Sequence, residues 1–159
     1  MAAFAPGFSE EVAFRGLGVA NYMRTIQSGK QIKVIFWLSS IVFGLIHATN
    51  IFAGGDPFAC AVQAVYATGI GMALAAIYLR TGNLLPCILG HMSLDFMEFM
   101  RGDISQSGGL MMNMGVGDWI TCFAAAVGAV WGLWLIRSKY HPEIMALWND
   151  KWSKVDSDK

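Results

Sequence analysis

The sequence predicts an all-α protein, a polytopic transmembrane helical bundle of about five membrane segments followed by a C-terminal interfacial helix. Hydrophobic residues make up 55% of the chain and charged residues only 14%, whereas an average soluble domain is about 25% charged. The mean hydropathy is +0.49. Uncharged stretches cover residues 34–55, 57–79 and 119–136, and a bilayer-spanning helix needs about 20 mostly apolar residues. A very apolar soluble helical domain is the less favoured alternative.

The first segment, residues 4–26, is the most polar of the five because it contains the stretch SEEVAFRG. A basic linker at 24–33 leads into the second segment, 35–52. The sequence GGDP at 54–57 then breaks the helix and predicts a tight connection.

The third segment, residues 58–79, is rich in alanine and glycine, which allow helices to approach closely in lipid. A turn with the sequence RTGN separates it from the fourth segment, 84–100. Residues 102–117 predict a loop outside the membrane, and the fifth segment, 119–136, contains a GxxxG pattern. We therefore expect tight packing around the third and fifth segments.

The tail after the fifth segment has an amphipathic helical pattern that begins at Pro142. Tryptophan side chains on such a helix suit the headgroup level of a membrane. The chain thus divides into a membrane core, residues 1–138, and a cytoplasmic amphipathic tail, residues 139–159. The apolar face of the tail consists of Ile144, Leu147, Trp148, Trp152 and Val155.

Basic residues indicate the orientation, because positive loops stay in the cytoplasm. With five segments, the ends after segments one, three and five lie on the same side. That side carries six basic residues in addition to the lysines further along the tail, whereas the other side carries only Arg101. The C-terminus is therefore predicted to be cytoplasmic, in what we expect to be a bacterial cytoplasmic membrane. Met1 would lie outside, which predicts further helices upstream. The six are Arg24, Lys30, Lys33, Arg80, Arg137 and Lys139.

Other function classes find little support. The formal net charge is zero, so nothing indicates nucleic-acid binding. The three cysteines are widely spaced within apolar segments and form no CxxC pair, which is typical of small buried residues and not of a disulfide framework.

Several ionisable groups lie inside the apolar segments, where such residues are rare and usually functional. At about 1.5 Å of rise per residue, four of them on three segments reach the same depth, near the non-cytoplasmic end. We therefore expect these four to meet in one cavity. They are Glu10, His47, His91 and Asp95.

Three motifs resemble those of the CAAX protease and bacteriocin-processing (CPBP, or Abi) family. The sequences EEVAFRG at 10–16, FGLIH at 43–47 and HMSLD at 91–95 are similar to the family patterns EExxxR, FxxxH and HxxxN or HxxxD. The similarity covers about residues 7–100, and it implies an N-terminally incomplete catalytic core. It also implies an intramembrane endopeptidase that hydrolyses a peptide bond of a membrane-associated protein or peptide.

By this resemblance Glu10 would activate water, with His47 holding that water, and His91 and Asp95 would stabilise the oxyanion. Glu11 and Arg15 would form a supporting pair. Amide hydrolysis needs an activated water and donors aimed at the developing negative charge. Asp95 departs from the more usual asparagine. It would have to be protonated to donate a hydrogen bond, or else orient His91.

Alternatives remain at this stage. Glu10, His47 and His91 are also suitable ligands for a catalytic zinc ion with an open water position, although no cofactor is favoured. The protein could be a non-catalytic membrane immunity or regulatory partner that retains the motifs. A carrier is less favoured because no internal repeat is visible. The expected partners are a membrane-associated substrate and the lipid bilayer.

Overall fold

The computed structural model describes residues 5–100 and 116–157, and all regular elements in these residues are helical. The all-α prediction is therefore confirmed, and each of the predicted segments and the tail corresponds to helix. The expected loop at 102–117 falls almost entirely outside the described residues. The helices are α1 (Ala5–Glu11), α2 (Ala20–Met23), α3 (Gly29–Ala48), α4 (Pro57–Thr81), α5 (Leu85–Met100), α6 (Val116–Leu135) and α7 (His141–Ser157).

Three stretches of π- or 3₁₀-helix adjoin these α-helices. A π-helix, Val12–Val19, joins α1 to α2, and 3₁₀ turns follow α3 at Thr49–Ala53 and precede α7 at Ser138–Tyr140. π-Helical turns within α-helices are rare and frequent at functional sites. The π-helix at Val12–Val19 carries Arg15 and the other residues of the first motif that follow Glu11.

The prediction of about five membrane spans is not confirmed. Two helices are long and apolar enough to cross a membrane, Gly29–Ala53 and Pro57–Thr81. A third is added if Trp119–Leu135 and Ser138–Val155, which meet at 52°, count as one span. Helix α5 has only 16 residues, and the first segment is interrupted by the π-helix. Neither segment is among the candidate membrane-spanning helices of the described residues.

Helix α4 is central, because it packs along both α3 and α6. The contacts depend on glycine. A Cβ atom on Gly69 would lie 2.7 Å from the Ala125 carbonyl oxygen, and one on Gly132 would lie 2.7 Å from the Met72 carbonyl oxygen. Gly132 is the second glycine of the predicted GxxxG pattern, so that pattern forms the face that packs against α4.

The starts of α3 and α4 are both capped. The Gln31 side chain accepts hydrogen bonds from the backbone of Gln27 and Ser28 before α3, and the Asp56 carboxylate accepts one from the Ala59 N–H at the start of α4. Such caps satisfy N–H groups that a helix leaves without internal partners. They define where the two long helices begin.

Helix α7 covers the turn between α4 and α5. Trp148 is fully buried, and its indole N–H donates to the Leu79 carbonyl oxygen at 3.0 Å. The Lys151 ammonium donates to the carbonyl of Gly82, which has a left-handed φ of 62°. Part of the predicted apolar face of the tail therefore packs on the bundle, while Val155 stays 40% exposed.

We expect Gly132→Ala to lower the free energy of unfolding by about 1–3 kcal/mol, the usual cost of overpacking a tight contact. The new methyl group would meet backbone atoms of Met72 at 2.7–2.9 Å, which cannot move alone. Gly18→Ala is the control, because its nearest neighbour would be 3.6 Å away. Thermal unfolding in detergent, followed by circular dichroism, should show a loss only for Gly132→Ala. Equal stability of the two variants would contradict the packing.

Candidate active site

A small cavity of about 40 Å³ lies among α3, α4 and α5. A cavity of this size has room for water. Its wall includes the histidines of the second and third motifs together with the aspartate of the third. The lining residues are Phe43, His47, Gln63, Tyr66, Ala67, Ile70, His91, Leu94 and Asp95.

The carboxylate of Glu10 reaches the same place from α1. Its Oε2 atom lies 3.9 Å from Nε2 of His47 and 3.9 Å from Nε2 of His91. Oε2 is a buried atom that has no hydrogen-bond partner within the described part of the chain. The structure thus brings together the predicted groups from three separate segments, with one carboxylate oxygen between two imidazoles.

His47 has a defined tautomer. Its Nδ1 lies 2.8 Å from the carbonyl oxygen of Phe43 in the preceding helical turn. A carbonyl oxygen can only accept, so Nδ1 carries the proton and donates. In the neutral ring Nε2 is then an acceptor, and it is the nitrogen that faces Glu10.

His91 is oriented by the second glutamate of the first motif. Its Nδ1 lies 3.0 Å from Glu11 Oε1, and an ionised carboxylate only accepts, so Nδ1 donates. Nε2 is left between Glu10 Oε2, at 3.9 Å, and Asp95 Oδ1, at 3.5 Å. The imidazole is nearly buried and has a carboxylate on each side.

Glu11 and Arg15 form a fully buried ion pair beneath the cavity. Arg15 Nη1 donates to Glu11 Oε1 at 2.8 Å, and Nη2 donates to the Gly71 carbonyl oxygen of α4 at 3.2 Å. The guanidinium also lies 4.4 Å from the centre of the Phe43 ring, a cation–π distance. The predicted supporting pair therefore connects the first motif to both α3 and α4.

Phe43, the first residue of the second motif, packs against the imidazoles of both histidines. Its ring centre lies 4.9 Å from that of His47 and 5.4 Å from that of His91. Phe14 meets it edge-on at 5.4 Å. This apolar contact limits the rotation of the two imidazoles and covers the guanidinium of Arg15.

Helices α1 and α5 approach each other at Gly7. A Cβ atom there would lie 2.8 Å from Asp95 Oδ2 and 3.0 Å from the Met92 backbone nitrogen. Glycine is thus required for α1 to bring Glu10 close to the third motif. Asp95 Oδ2 is a further buried atom without a hydrogen-bond partner among the described residues.

Gln63 and Tyr66 of α4 also line the cavity. Gln63 does bridge helices, because its Oε1 accepts from Asn50 Nδ2 at 2.9 Å. Its own amide nitrogen can still donate. Two features of the sequence could have identified them: they are polar residues within a run of small ones, and their depth along α4 matches that of His47 on α3.

The zinc alternative would place the ion among Glu10, His47 and His91. In residues 5–100 and 116–157, no group of three histidine, cysteine, aspartate or glutamate side chains is arranged to hold a metal ion. The proposed ligands Glu10, His47 and His91 lie near one another, but His91 Nε2 also faces Asp95 at 3.5 Å.

Residues 1–97 match the family model of the Rce1-like type II CAAX prenyl endopeptidases. The chain belongs to this Rce1-like family. No curated protein and no solved structure matches it. The match includes all three motifs of the cavity and ends before α6, and it agrees with the CPBP resemblance. Membership in the Rce1-like family, together with the long apolar helices, supports a CAAX endopeptidase that is an integral membrane protein.

We expect Arg15→Met to lower the free energy of unfolding by about 3–5 kcal/mol, because it leaves the Glu11 carboxylate buried without its cation. The double variant Glu11→Gln/Arg15→Met should recover part of that loss, since no buried charge is then unpaired. Lys154→Met is the control, because it removes a cation from an exposed i,i+4 pair with Asp150 and should change little. Denaturant titration of the purified protein measures all three. A double variant less stable than Arg15→Met would contradict the buried-pair interpretation.

Proposed function

We propose that the protein is an intramembrane endopeptidase that hydrolyses a peptide bond of a membrane-associated protein or peptide with a water activated by Glu10. One observation carries the proposal: Glu10 Oε2 lies 3.9 Å from Nε2 of both His47 and His91, beside a cavity large enough for water. A carboxylate next to two imidazoles supplies both a base and a donor for amide hydrolysis.

The first step is proton transfer from water to Glu10. A water molecule can hydrogen-bond to both Glu10 Oε2 and His47 Nε2, because two bonds of about 2.8 Å span their separation. His47 accepts one hydrogen bond and so fixes the water, while Glu10 takes the other proton. The water oxygen adds to the carbonyl carbon of the substrate, and the carbonyl electrons move to its oxygen.

The second step returns that proton. The tetrahedral intermediate collapses, the carbon–nitrogen bond breaks, and Glu10 gives its proton to the leaving amine. Glu10 is thereby regenerated as a carboxylate, and the products are a free carboxyl and a free amino terminus. One water molecule is consumed for each peptide bond that is hydrolysed.

His91 is the proposed oxyanion donor. Its Nδ1–H is directed to Glu11, so Nε2 can donate as well only when the ring is an imidazolium. Such a cation would be accompanied by three carboxylates, those of Glu10, Glu11 and Asp95, at 3.0–3.9 Å. Glu11 is thus a positioning residue that keeps Nε2 facing the reacting atoms.

The position of the helices in the bilayer determines which side each basic end faces. We propose that α1 and α5 enter the bilayer far enough to bring their motifs to the cavity, which preserves the five-segment topology. Arg24 stacks on Trp152 and Arg80 pairs with Glu143, so the basic ends meet at α7. These contacts support a common side for the basic ends, and we propose that this side, with the C-terminus, is cytoplasmic. The bacterial membrane remains an expectation.

We expect Glu10→Gln to lower turnover by up to about 10⁴-fold, because the amide cannot accept the proton. His91→Ala should lose about 10²–10³-fold, the usual cost of one oxyanion donor. Both are measured with the purified protein on prenylated CAAX-type peptides and a library of quenched peptides. Strong chelators should leave wild-type turnover unchanged. Loss with chelator and recovery with Zn²⁺ would instead establish the metal mechanism.

Full activity of Glu10→Gln would refute the proposed base. A folded wild-type protein that cleaves nothing would favour the non-catalytic immunity or regulatory partner.

We expect Asp95→Asn to keep or raise turnover, because an amide donates a hydrogen bond at a position that lies 3.5 Å from His91 Nε2. Asp95→Ala is the control that removes the group entirely, and it should lower turnover. Steady-state kinetics on the same peptides gives the comparison. If Asp95→Asn is as damaging as Asp95→Ala, the residue acts as an ionised acceptor that orients His91.

A further inference from the structure

A second cavity lies at the opposite end of the bundle, between the first turns of α3 and the end of α6. Its volume is about 430 Å³, within the range of small-molecule sites. It is distinct from the site that contains Glu10 and shares none of its residues. The lining residues are Lys33, Trp37, Leu133, Ile136, Arg137 and Ser138.

The two cations of this cavity have no carboxylate partner among the described residues. In the part of the chain that the structure describes, neither Lys33 nor Arg137 forms an ion pair, and the nearby Glu143 carboxylate is taken by Arg80 at 2.8 Å. The Arg137 guanidinium donates to the Trp134 carbonyl oxygen, stacks on that ring at 4.9 Å and lies 6.0 Å from the centre of the Tyr140 ring. Two uncompensated positive charges therefore face a single space.

The remaining wall is apolar, so the cavity is amphipathic. Trp37 is 42% exposed and Leu133 is 41% exposed, while Ile136 is a buried residue of the cavity wall. The membrane-crossing helix α3 begins at Gly29, and the apolar helix α6 ends at Leu135. Charges next to these two ends lie at the boundary between hydrocarbon and water, where lipid headgroups are found.

We propose that this cavity binds the headgroup of an anionic phospholipid, with the phosphate between Lys33 and Arg137. Ser138 adds a hydroxyl donor, and an acyl chain would pass along Trp37 and Leu133. Basic pockets between membrane helices on the cytoplasmic side are suited to such headgroups. A lipid bound there would link the start of α3 to the end of α6.

The test is a titration of the purified protein in detergent with phosphatidylglycerol, followed by native mass spectrometry. Phosphatidylcholine with the same acyl chains is the lipid control, and glycerol 3-phosphate is the soluble one. We expect one phosphatidylglycerol to bind at least tenfold more tightly than phosphatidylcholine. Glycerol 3-phosphate at equal concentration should not displace it.

Three matched variants locate the site. Lys33→Gln and Arg137→Gln should each weaken phosphatidylglycerol binding about fivefold, the effect of one cation near an anionic surface. Lys30→Gln removes the same charge one turn away, outside the cavity, and should weaken binding less than twofold. All three side chains are exposed, and unchanged thermal unfolding without lipid confirms that each variant is folded.

Three results would overturn the proposal. Equal binding of the two lipids would show that the cations do not select the headgroup. An equal loss for Lys30→Gln would indicate diffuse surface charge in place of a site. Displacement by glycerol 3-phosphate would identify a soluble phosphate compound as the ligand.

Discussion

The carboxylate of Glu11 is fully buried, and one of its oxygens, Oε1, accepts hydrogen bonds from both Arg15 and His91. A buried charge is tolerated only when it is paired and hydrogen-bonded. The helix that carries Glu11, the helix that carries His91 and the Gly71 carbonyl of α4 are therefore held in one arrangement. Moving any of them would leave a charge unpaired in an apolar interior.

This constraint separates the tasks of two adjacent glutamates. The Oε1 atom of Glu11 makes structural bonds in the interior, whereas the Oε2 atom of Glu10, one position earlier, lies between two imidazoles and has no hydrogen-bond partner among the described residues. The bound carboxylate positions His91, and the unbound one remains able to accept a proton. A single short motif thus supplies both the support and the proposed base.

The two ends of the bundle differ in chemistry. One end holds the acidic and imidazole groups in a cavity of about 40 Å³, and the other holds uncompensated cations in one of about 430 Å³. Helix α4 connects them, because its small residues allow α3 and α6 to approach its backbone. Substitutions on α4 that widen these contacts would therefore disturb the cavities at both ends of the bundle.

The sequence alone determined the helical membrane class, the family and the set of polar residues, because long apolar runs and three spaced motifs are local patterns. It did not determine the number of spans, since a π-helix interrupts the first segment and α5 is only 16 residues long. Nor did it show that Gln63 and Tyr66 line the cavity. Which nitrogen of each histidine carries a proton depends on its acceptor. For His47 the acceptor is the Phe43 carbonyl, one turn earlier in the same helix, whereas His91 uses Glu11, which only the tertiary structure brings within 3.0 Å.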